Sequence, residues 1–183
     1  MGHVYLYYGT GGGKTTSALG LALRSVGHRR RVVVVQFMKW FADTGEVKVA
    51  ELLKPYYEIR QFGKPGWLRI GTDGGEVHED LRTRDTGKED REAAVEAMDY
   101  ARDTLGREKP DLLILDEVCL AVHAELLKVE DVLALLERLP ENTDVVLTGR
   151  YAPRELVDRA DFVNEVMQVK APKDFVNKRG IQY

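Results

Sequence analysis

The chain has 183 residues, 44% of them apolar and 31% charged, and carries a net charge of −3 at pH 7. This length and balance predict one globular domain spanning residues 1–183. The charge argues against nucleic acid as a partner, and no apolar run is long enough to span a bilayer. With no signal-peptide pattern and a single cysteine, the sequence favours a cytoplasmic location.

The first motif along the chain is a glycine-rich run that follows a strand candidate at residues 4–8 and precedes a helix candidate starting near Thr15. In that context glycines let backbone N–H groups converge on an anion, and the helix N-terminus adds a positive dipole end. Lys14 is predicted to bind the outer phosphates, and the Thr15 hydroxyl to ligate Mg²⁺. The alternative is a flexible turn with an incidental lysine. The phosphate-binding candidates are Gly9, Thr10, Gly11, Gly12, Gly13, Lys14, Thr15 and Thr16.

This phosphate loop is one residue shorter than the usual pattern. The standard spacing places a glycine five residues before Gly13, and that position is Tyr8. The first glycine is Gly9 instead. We therefore expect the loop to hold a nucleotide differently from an ordinary ATPase.

Strands and helices then alternate along the chain, which predicts an α/β fold with a mostly parallel sheet between two helical layers. Ligands in such sheets bind at the carboxyl ends of the strands. Residues 63–87 lack a regular pattern and are predicted to form a functional or mobile loop. The predicted helices start near Thr15 and end at Gly27, and then span 46–54 with Thr44 as N-cap, 88–107, 129–139 and 153–160. The predicted strands span 4–8, 32–37, 56–62, 112–115, 145–148 and, with alternating polarity, 162–169.

Two strand ends carry further candidates for metal or phosphate binding. Asp116 and Glu117 follow an apolar strand at the position where phosphate-loop proteins hold Mg²⁺ beside the loop threonine. The alternative is a strand ending in two solvated acids. Arg150 ends the next strand and is placed to pair with phosphate or a carboxylate, unless it is a surface arginine after a turn. Cys119 follows the acidic pair, but no base is placed beside it, so a buried small side chain is favoured over a nucleophile.

Five stretches together carry a family resemblance: 7–20, 33–39, 113–117, 147–150 and 178–183. With them the chain resembles the ATP:corrinoid adenosyltransferases, a cobalamin-modifying branch of the phosphate-loop proteins. The resemblance implies a P-loop NTPase (RecA-like) fold. It also implies transfer of the 5′-deoxyadenosyl group of ATP to Co(I) of a corrinoid, with release of triphosphate, in adenosylcobalamin biosynthesis or salvage. The corrinoid is cobalamin, cobinamide or cobyrinic acid a,c-diamide, and the short loop is expected to hold ATP reversed.

The same resemblance implies roles for the site residues. Lys14 and Glu117 are the expected catalytic residues, with Lys14, Thr15 and Mg²⁺ stabilising the departing triphosphate. The metal is expected on Thr15, Glu117 and Asp116, with Glu117 as the main carboxylate partner and Asp116 alongside it, and Mn²⁺ is an expected substitute. The expected partners are ATP, the corrinoid, a reducing flavoprotein and a second copy of the chain in a homodimer.

The chain departs from the family pattern at several positions. Thr10 stands where the family usually has Asn, and Gly12 where it has Lys, which is expected to weaken ATP binding. A family helix before the first strand is not expected here. Trp67 is a candidate for the aromatic that crowds the lower face of the corrinoid, unless it packs within its loop, and Trp40 is a second candidate for that pocket. Two rival functions stay open: another phosphate-loop hydrolase or small kinase, and a nucleotide-dependent regulator without transferase activity.

Overall fold

A computed structural model describes residues 2–68, 83–172, 174, 176 and 178–181 of the chain. Its strands are β1 (Val4–Tyr8), β2 (Val32–Phe37), β3 (Tyr57–Phe62), β4 (Trp67–Leu68), β5 (Thr83–Arg84), β6 (Leu112–Asp116), β7 (Asp144–Gly149) and β8 (Phe162–Glu165). Its helices are α1 (Lys14–Gly27), α2 (Gly45–Lys48), α3 (Lys88–Arg107), α4 (Val118–His123), α5 (Val129–Leu136) and α6 (Arg154–Arg159), and a 3₁₀ turn (Val49–Glu51) follows α2.

The main sheet has six strands in the order β3-β2-β6-β7-β1-β8, and every pairing in it is parallel. Every residue of β2 and β6 is buried, as the branched apolar runs predict for strands covered on both faces. Helix α1 packs on one face through Ala18 and Ala22. Residues of α3, α4, α5 and α6 belong to the larger core cluster on the other face. The predicted three-layer P-loop NTPase-like fold is confirmed.

Two predicted elements differ from the structure, and one helix of the structure was not predicted. The helix expected over 46–54 ends at Lys48, because the following residues tighten into i→i+3 hydrogen bonds such as that from Leu52 N–H to the Val49 carbonyl. Helix α4 was not expected at all. The strand expected over 162–169 ends at Glu165, and its four residues are exposed instead of alternating, because β8 is an edge strand paired only with β1.

The other predicted elements agree with the structure to within a few residues, and α3 agrees at both ends. Within the long loop, β4 and β5 pair with each other, and residues 69–82 lie outside the described part of the chain. In the described part, no helix is both long and apolar enough to cross a membrane. Because the six strands run parallel, the segments after β1, β2, β6 and β7 all meet at one edge of the sheet.

Candidate active site

The first half of the phosphate loop is packed against the segment that follows β8. The Val166 N–H donates to the Tyr8 carbonyl at 2.7 Å, and the Gly11 N–H donates to the Val166 carbonyl at 2.8 Å. A Cβ at Gly9 would lie 2.5 Å from the Val166 carbonyl oxygen, and one at Gly11 would lie 2.7 Å from the Met167 carbonyl carbon. These two glycines are therefore required by close packing, and the Gly11 amide is used within the protein.

The second half of the loop is open. Gly12 and Gly13 are exposed, and a Cβ added at either would meet nothing within 4 Å. Helix α1 then begins at Lys14 without a side-chain N-cap, and its first helical bond runs from the Ser17 N–H to the Gly13 carbonyl at 2.8 Å. The amides that precede Ser17 have no partner within the helix, which is the arrangement that binds anions.

Lys14 supplies a buried positive charge at this helix end. Only 7% of the residue is exposed, and its Nζ donates to the Gly11 carbonyl at 2.7 Å. Burial lowers the pKa of Lys14, and the positive charges of Arg150 and Lys39 act in the same direction, while the Glu117 carboxylate opposes them. Three cations thus converge on one site, as expected where a polyanion binds.

The Asp116 carboxylate is completely buried and accepts four side-chain hydrogen bonds. Oδ1 accepts from the hydroxyls of Thr15 at 2.8 Å and Thr148 at 2.7 Å. Oδ2 accepts from Gln36 Nε2 at 3.0 Å and Lys39 Nζ at 2.7 Å. Burial alone would favour the protonated acid, but the Lys39 ammonium and these hydrogen bonds outweigh it and lower the pKa of Asp116. The side chain is therefore a fixed carboxylate that ties the phosphate loop to β2 and β7.

Glu117 lies next in sequence, but its carboxylate has an oxygen without a hydrogen-bond partner and its pKa is shifted in the opposite direction. Its backbone is left-handed, with φ of 64°, and its N–H donates to the Thr148 hydroxyl at 2.9 Å. Its Oε2 atom is buried without a hydrogen-bond partner, and burial followed by the neighbouring Asp116 charge raises the pKa of Glu117. An unpartnered carboxylate close to a hydroxyl suits a hard divalent cation such as Mg²⁺.

The metal would not be held by protein groups alone. Across the residues that the structure describes, no group of three or more His, Cys, Asp and Glu side chains is arranged to hold a metal ion. Mg²⁺ commonly binds through one or two carboxylates together with substrate phosphates and waters. The pair of Thr15 and Glu117 beside the phosphate loop fits that mode of binding.

A cavity of about 750 Å³ connects these groups. Its polar lining includes Lys14, Thr15, Lys39 and Glu117. Its apolar and aromatic lining consists of Leu19, Leu23, Val49, Leu53, Tyr57 and Ile181. This volume lies within the range of about 300–1,000 Å³ that is usual for small-molecule sites.

Cys119 is buried on α4, beside this site. Its pKa is raised to about 12, by burial first and then by the Glu117 charge. The thiol is therefore protonated near neutral pH. The prediction that Cys119 is a buried small side chain is confirmed.

Comparison with known proteins decides the family. The family model described as ATP:corrinoid adenosyltransferase BtuR/CobO/CobP matches residues 1–183. The chain belongs to this family. It is 32% identical over 169 residues to a corrinoid adenosyltransferase of Escherichia coli (strain K12), covering 92% of this chain and 78% of that protein. It is 31% identical to corrinoid adenosyltransferase CobA of Salmonella typhimurium, with the same coverage, and 32% identical to a corrinoid adenosyltransferase of Pseudomonas aeruginosa, covering 92% and 76%.

The structure brings together most of the site residues predicted for an adenosyltransferase. Thr15, Asp116 and Glu117 meet at the carboxyl edge of the sheet. Arg150 is exposed directly after β7. Its positive charge acts to lower the pKa of both Lys14 and Glu117, so it lies near both side chains. Among the remaining loop candidates, Thr10 and Thr16 are exposed. The backbone of Trp67 lies in β4, but its side chain is outside the described part of the chain.

Sequence reasoning missed the role of Lys39 and Gln36, which both bind Asp116. A usable signal exists for each. Gln36 is a polar residue within an otherwise apolar strand, and it is fully buried. Lys39 follows the end of a parallel strand, as Glu117 and Arg150 do, and side chains at that edge meet.

Proposed function

We propose that the protein transfers the 5′-deoxyadenosyl group of Mg²⁺-bound ATP to Co(I) of a corrinoid and releases triphosphate. The observation that carries this proposal is the family match over the whole chain. The site supports it, because a phosphate loop, a buried lysine and an unpartnered carboxylate surround one cavity.

The proposed reaction needs no attacking side chain. The Co(I) electron pair forms the bond to C5′ of ATP, the C5′–O bond breaks, and the triphosphate leaves with that bond's electrons. The protonated state of Cys119 agrees with this scheme. The protein's task is then to hold C5′ in line with cobalt and to stabilise the charge of the leaving group.

The residues around the loop have complementary roles in this proposal. The open amides at the start of α1 and the Lys14 ammonium bind the triphosphate, and Lys14 exchanges its bond to the Gly11 carbonyl for one to phosphate. Thr15 and Glu117 are the proposed protein ligands of Mg²⁺, for which Mn²⁺ is a substitute. When bound, the metal supplies further stabilisation of negative charge on the triphosphate. Arg150 is proposed to add a guanidinium on the β7 side.

We further propose that ATP lies reversed in the shortened loop, so that its ribose faces the corrinoid. The loop offers only its second half to the nucleotide, since the Gly11 amide is bonded to Val166. Leu19, Leu23 and Leu53 line the same cavity as that half and provide non-polar surface against which flat substrate rings can pack.

The cellular setting is proposed from the family resemblance. It comprises a homodimer in the cytoplasm, a flavoprotein that reduces the corrinoid, and a place in adenosylcobalamin biosynthesis or salvage.

Product analysis tests the function. The protein is incubated without oxygen with chemically reduced cobalamin and Mg-ATP, and both the light-sensitive cobalt–carbon product and the phosphate products are measured. Equal amounts of adenosylated corrinoid and triphosphate are expected. Orthophosphate without adenosylation would indicate a hydrolase, and phosphorylation of a second substrate a kinase. Absence of every product would favour a binding or regulatory protein.

A further inference from the structure

Lys39 is aimed at the metal and phosphate site by the backbone around it. Met38 adopts a left-handed conformation, with φ of 58°, immediately after β2, and its N–H donates to the Phe62 carbonyl at 2.8 Å. Gly63 lies so close to this turn that an added Cβ would be 2.5 Å from the Met38 carbonyl carbon. The turn is thereby held against the end of β3, and the Lys39 side chain is directed back over the sheet edge into the cavity.

The Lys39 ammonium contacts two groups on which a metal site would depend. Its Nζ lies 2.7 Å from Asp116 Oδ2 and 3.4 Å from Thr15 Oγ1, and 30% of the side chain is exposed. Thr15 in turn donates to Asp116 Oδ1. The Lys39 ammonium therefore lies beside both the loop threonine and the strand-end aspartate, which bond directly to each other.

Counting lone pairs shows what this contact does to Asp116. An ionised carboxylate offers about four acceptor positions, and Thr15, Thr148, Gln36 and Lys39 supply one donor each. None of its acceptor positions is left for a metal. The buried Oε2 of the next residue, Glu117, has no hydrogen-bond partner at all.

We propose that Lys39 is a positioning residue that keeps Asp116 off the divalent cation and thereby leaves Glu117 as the carboxylate that ligates it. The inference deepens the proposed function, because it concerns the metal of the same site. The motif alone suggests a metal site with two carboxylate ligands. In our proposal the metal has one carboxylate ligand, Glu117, and the second carboxylate, Asp116, is bound to the Lys39 ammonium. The ammonium also adds positive charge next to the bound triphosphate.

Direct metal binding tests the proposal without any turnover. Mn²⁺ affinity is measured by electron paramagnetic resonance on the nucleotide-free protein and on its Lys39→Met variant, whose side chain has a similar length but no charge. The variant frees Asp116 Oδ2 beside Glu117, so we expect its Mn²⁺ affinity to rise about tenfold or more. Unchanged or weaker Mn²⁺ binding in a folded variant would overturn the proposal.

Three controls separate this effect from general changes in charge or folding. Lys54→Met removes an exposed lysine that is paired with Glu51, and Mn²⁺ binding should not change. Lys39→Arg keeps a cation on Asp116 and should behave like the parent. The double variant Lys39→Met/Glu117→Gln should still bind Mn²⁺ more tightly than Glu117→Gln alone, because the freed Asp116 becomes a ligand.

A second measurement decides the matter if Lys39→Met does not fold. Mn²⁺ binding in the presence of a non-hydrolysable ATP analogue is compared between the parent protein and Glu117→Gln. A loss of about tenfold or more is expected if Glu117 is the ligating carboxylate. Equal affinity would show that Asp116 holds the metal and would overturn the proposal. None of these readouts requires a corrinoid, so the proposal can fail while the adenosyltransferase assignment stands, and the reverse.

Discussion

The two halves of the phosphate loop are built for different purposes. Gly9 and Gly11 are buried against Val166 and Met167, where a Cβ would meet backbone atoms at less than 3 Å. Gly12 and Gly13 are exposed and have nothing within 4 Å of an added Cβ. Glycine is thus required in the first half by the packing of the protein itself, whereas the second half offers open space and free amides to a ligand.

The adjacent carboxylates show the same division. Asp116 accepts four hydrogen bonds and belongs to the framework, whereas Glu117 keeps a buried oxygen without a partner. Leaving a buried polar atom unpaired lowers stability, and such costs are characteristic of functional sites. Substitutions in the framework group, such as at Gly9 or Asp116, should therefore lower the stability of the protein. Substitutions in the open group, such as at Gly12 or Glu117, should instead change ligand binding or the reaction rate.

The largest effect is expected from Gly9→Ala. The backbone at Gly9 has φ of 114°, and the new Cβ would lie 2.5 Å from the Val166 carbonyl oxygen. Overpacking together with a left-handed backbone should lower the free energy of unfolding by about 2–5 kcal/mol. Urea unfolding measures the change. Gly20→Ala, in the open middle of α1, is the control and should be neutral or stabilising by up to about 1 kcal/mol. If the Gly9→Ala protein were as stable as its parent, close packing would not require a glycine at this position.

A loss of rate rather than of stability is expected from Lys14→Ala. The ammonium is a buried charge on the residue that follows Gly13, and removing it takes positive charge away from the leaving triphosphate. Loss of one preorganised electrostatic group should reduce the rate constant of adenosyl transfer by about 10²–10³-fold. Single-turnover kinetics measure this rate, with the exposed Lys54→Ala as control. A full rate in Lys14→Ala would show that the loop only positions the nucleotide.

Much of this arrangement was predictable because its signals are local. A strand, a glycine-rich run, Lys14 and a helix in that order predict a phosphate loop, and buried branched runs predict the central strands. Helix α4 was not predictable in the same way. Its six residues form a short apolar run directly after a strand, and such runs do not distinguish helix from strand. The turn between them depends on the left-handed backbone of Glu117, which that residue type adopts uncommonly.

The division within the loop was not predictable from the sequence. Gly9, Gly11 and Gly13 are the same residue type. Gly9 and Gly11 differ from Gly13 because they pack against Val166, which is more than 150 residues away in sequence. The same holds for Asp116 and Glu117, since the Lys39, Gln36 and Thr148 side chains donate to the Asp116 carboxylate, whereas Oε2 of Glu117 has no partner. Local motifs predicted several of the residues that meet at the sheet edge, although not Lys39 or Gln36, and long-range packing decides what each of them can do there.

A gain in stability is expected from Glu117→Gln in the absence of metal and nucleotide. The pKa of Glu117 is raised in the folded protein, so folding becomes less favourable as the pH rises through and above the ordinary range of a glutamate. At neutral pH the variant should melt about 2–4 °C higher, the shift typical of about 1 kcal/mol in a chain of this size. The gain should vanish at pH values below that range.

Scanning calorimetry at several pH values checks this prediction, and the exposed Glu96→Gln serves as control. The same Glu117→Gln protein should need more Mg²⁺ to reach its full rate of adenosyl transfer. If Glu117→Gln melted no higher than its parent at neutral pH, we would conclude that Glu117, like Asp116, stabilises the fold.

The smallest effect is expected from Gly12→Lys in the open half. Nothing lies within 4 Å of a Cβ at Gly12, so the new side chain should not disturb folding. An exposed cation at this position would lie beside the proposed triphosphate and should tighten ATP binding about two- to fivefold, equivalent to about 0.4–1 kcal/mol. Titration calorimetry at low and high salt measures the gain, which should shrink as salt screens the charge. Gly12→Gln adds length without charge and should leave ATP affinity unchanged. Loss of stability in both variants would mean that the second half of the loop is as closely packed as the first.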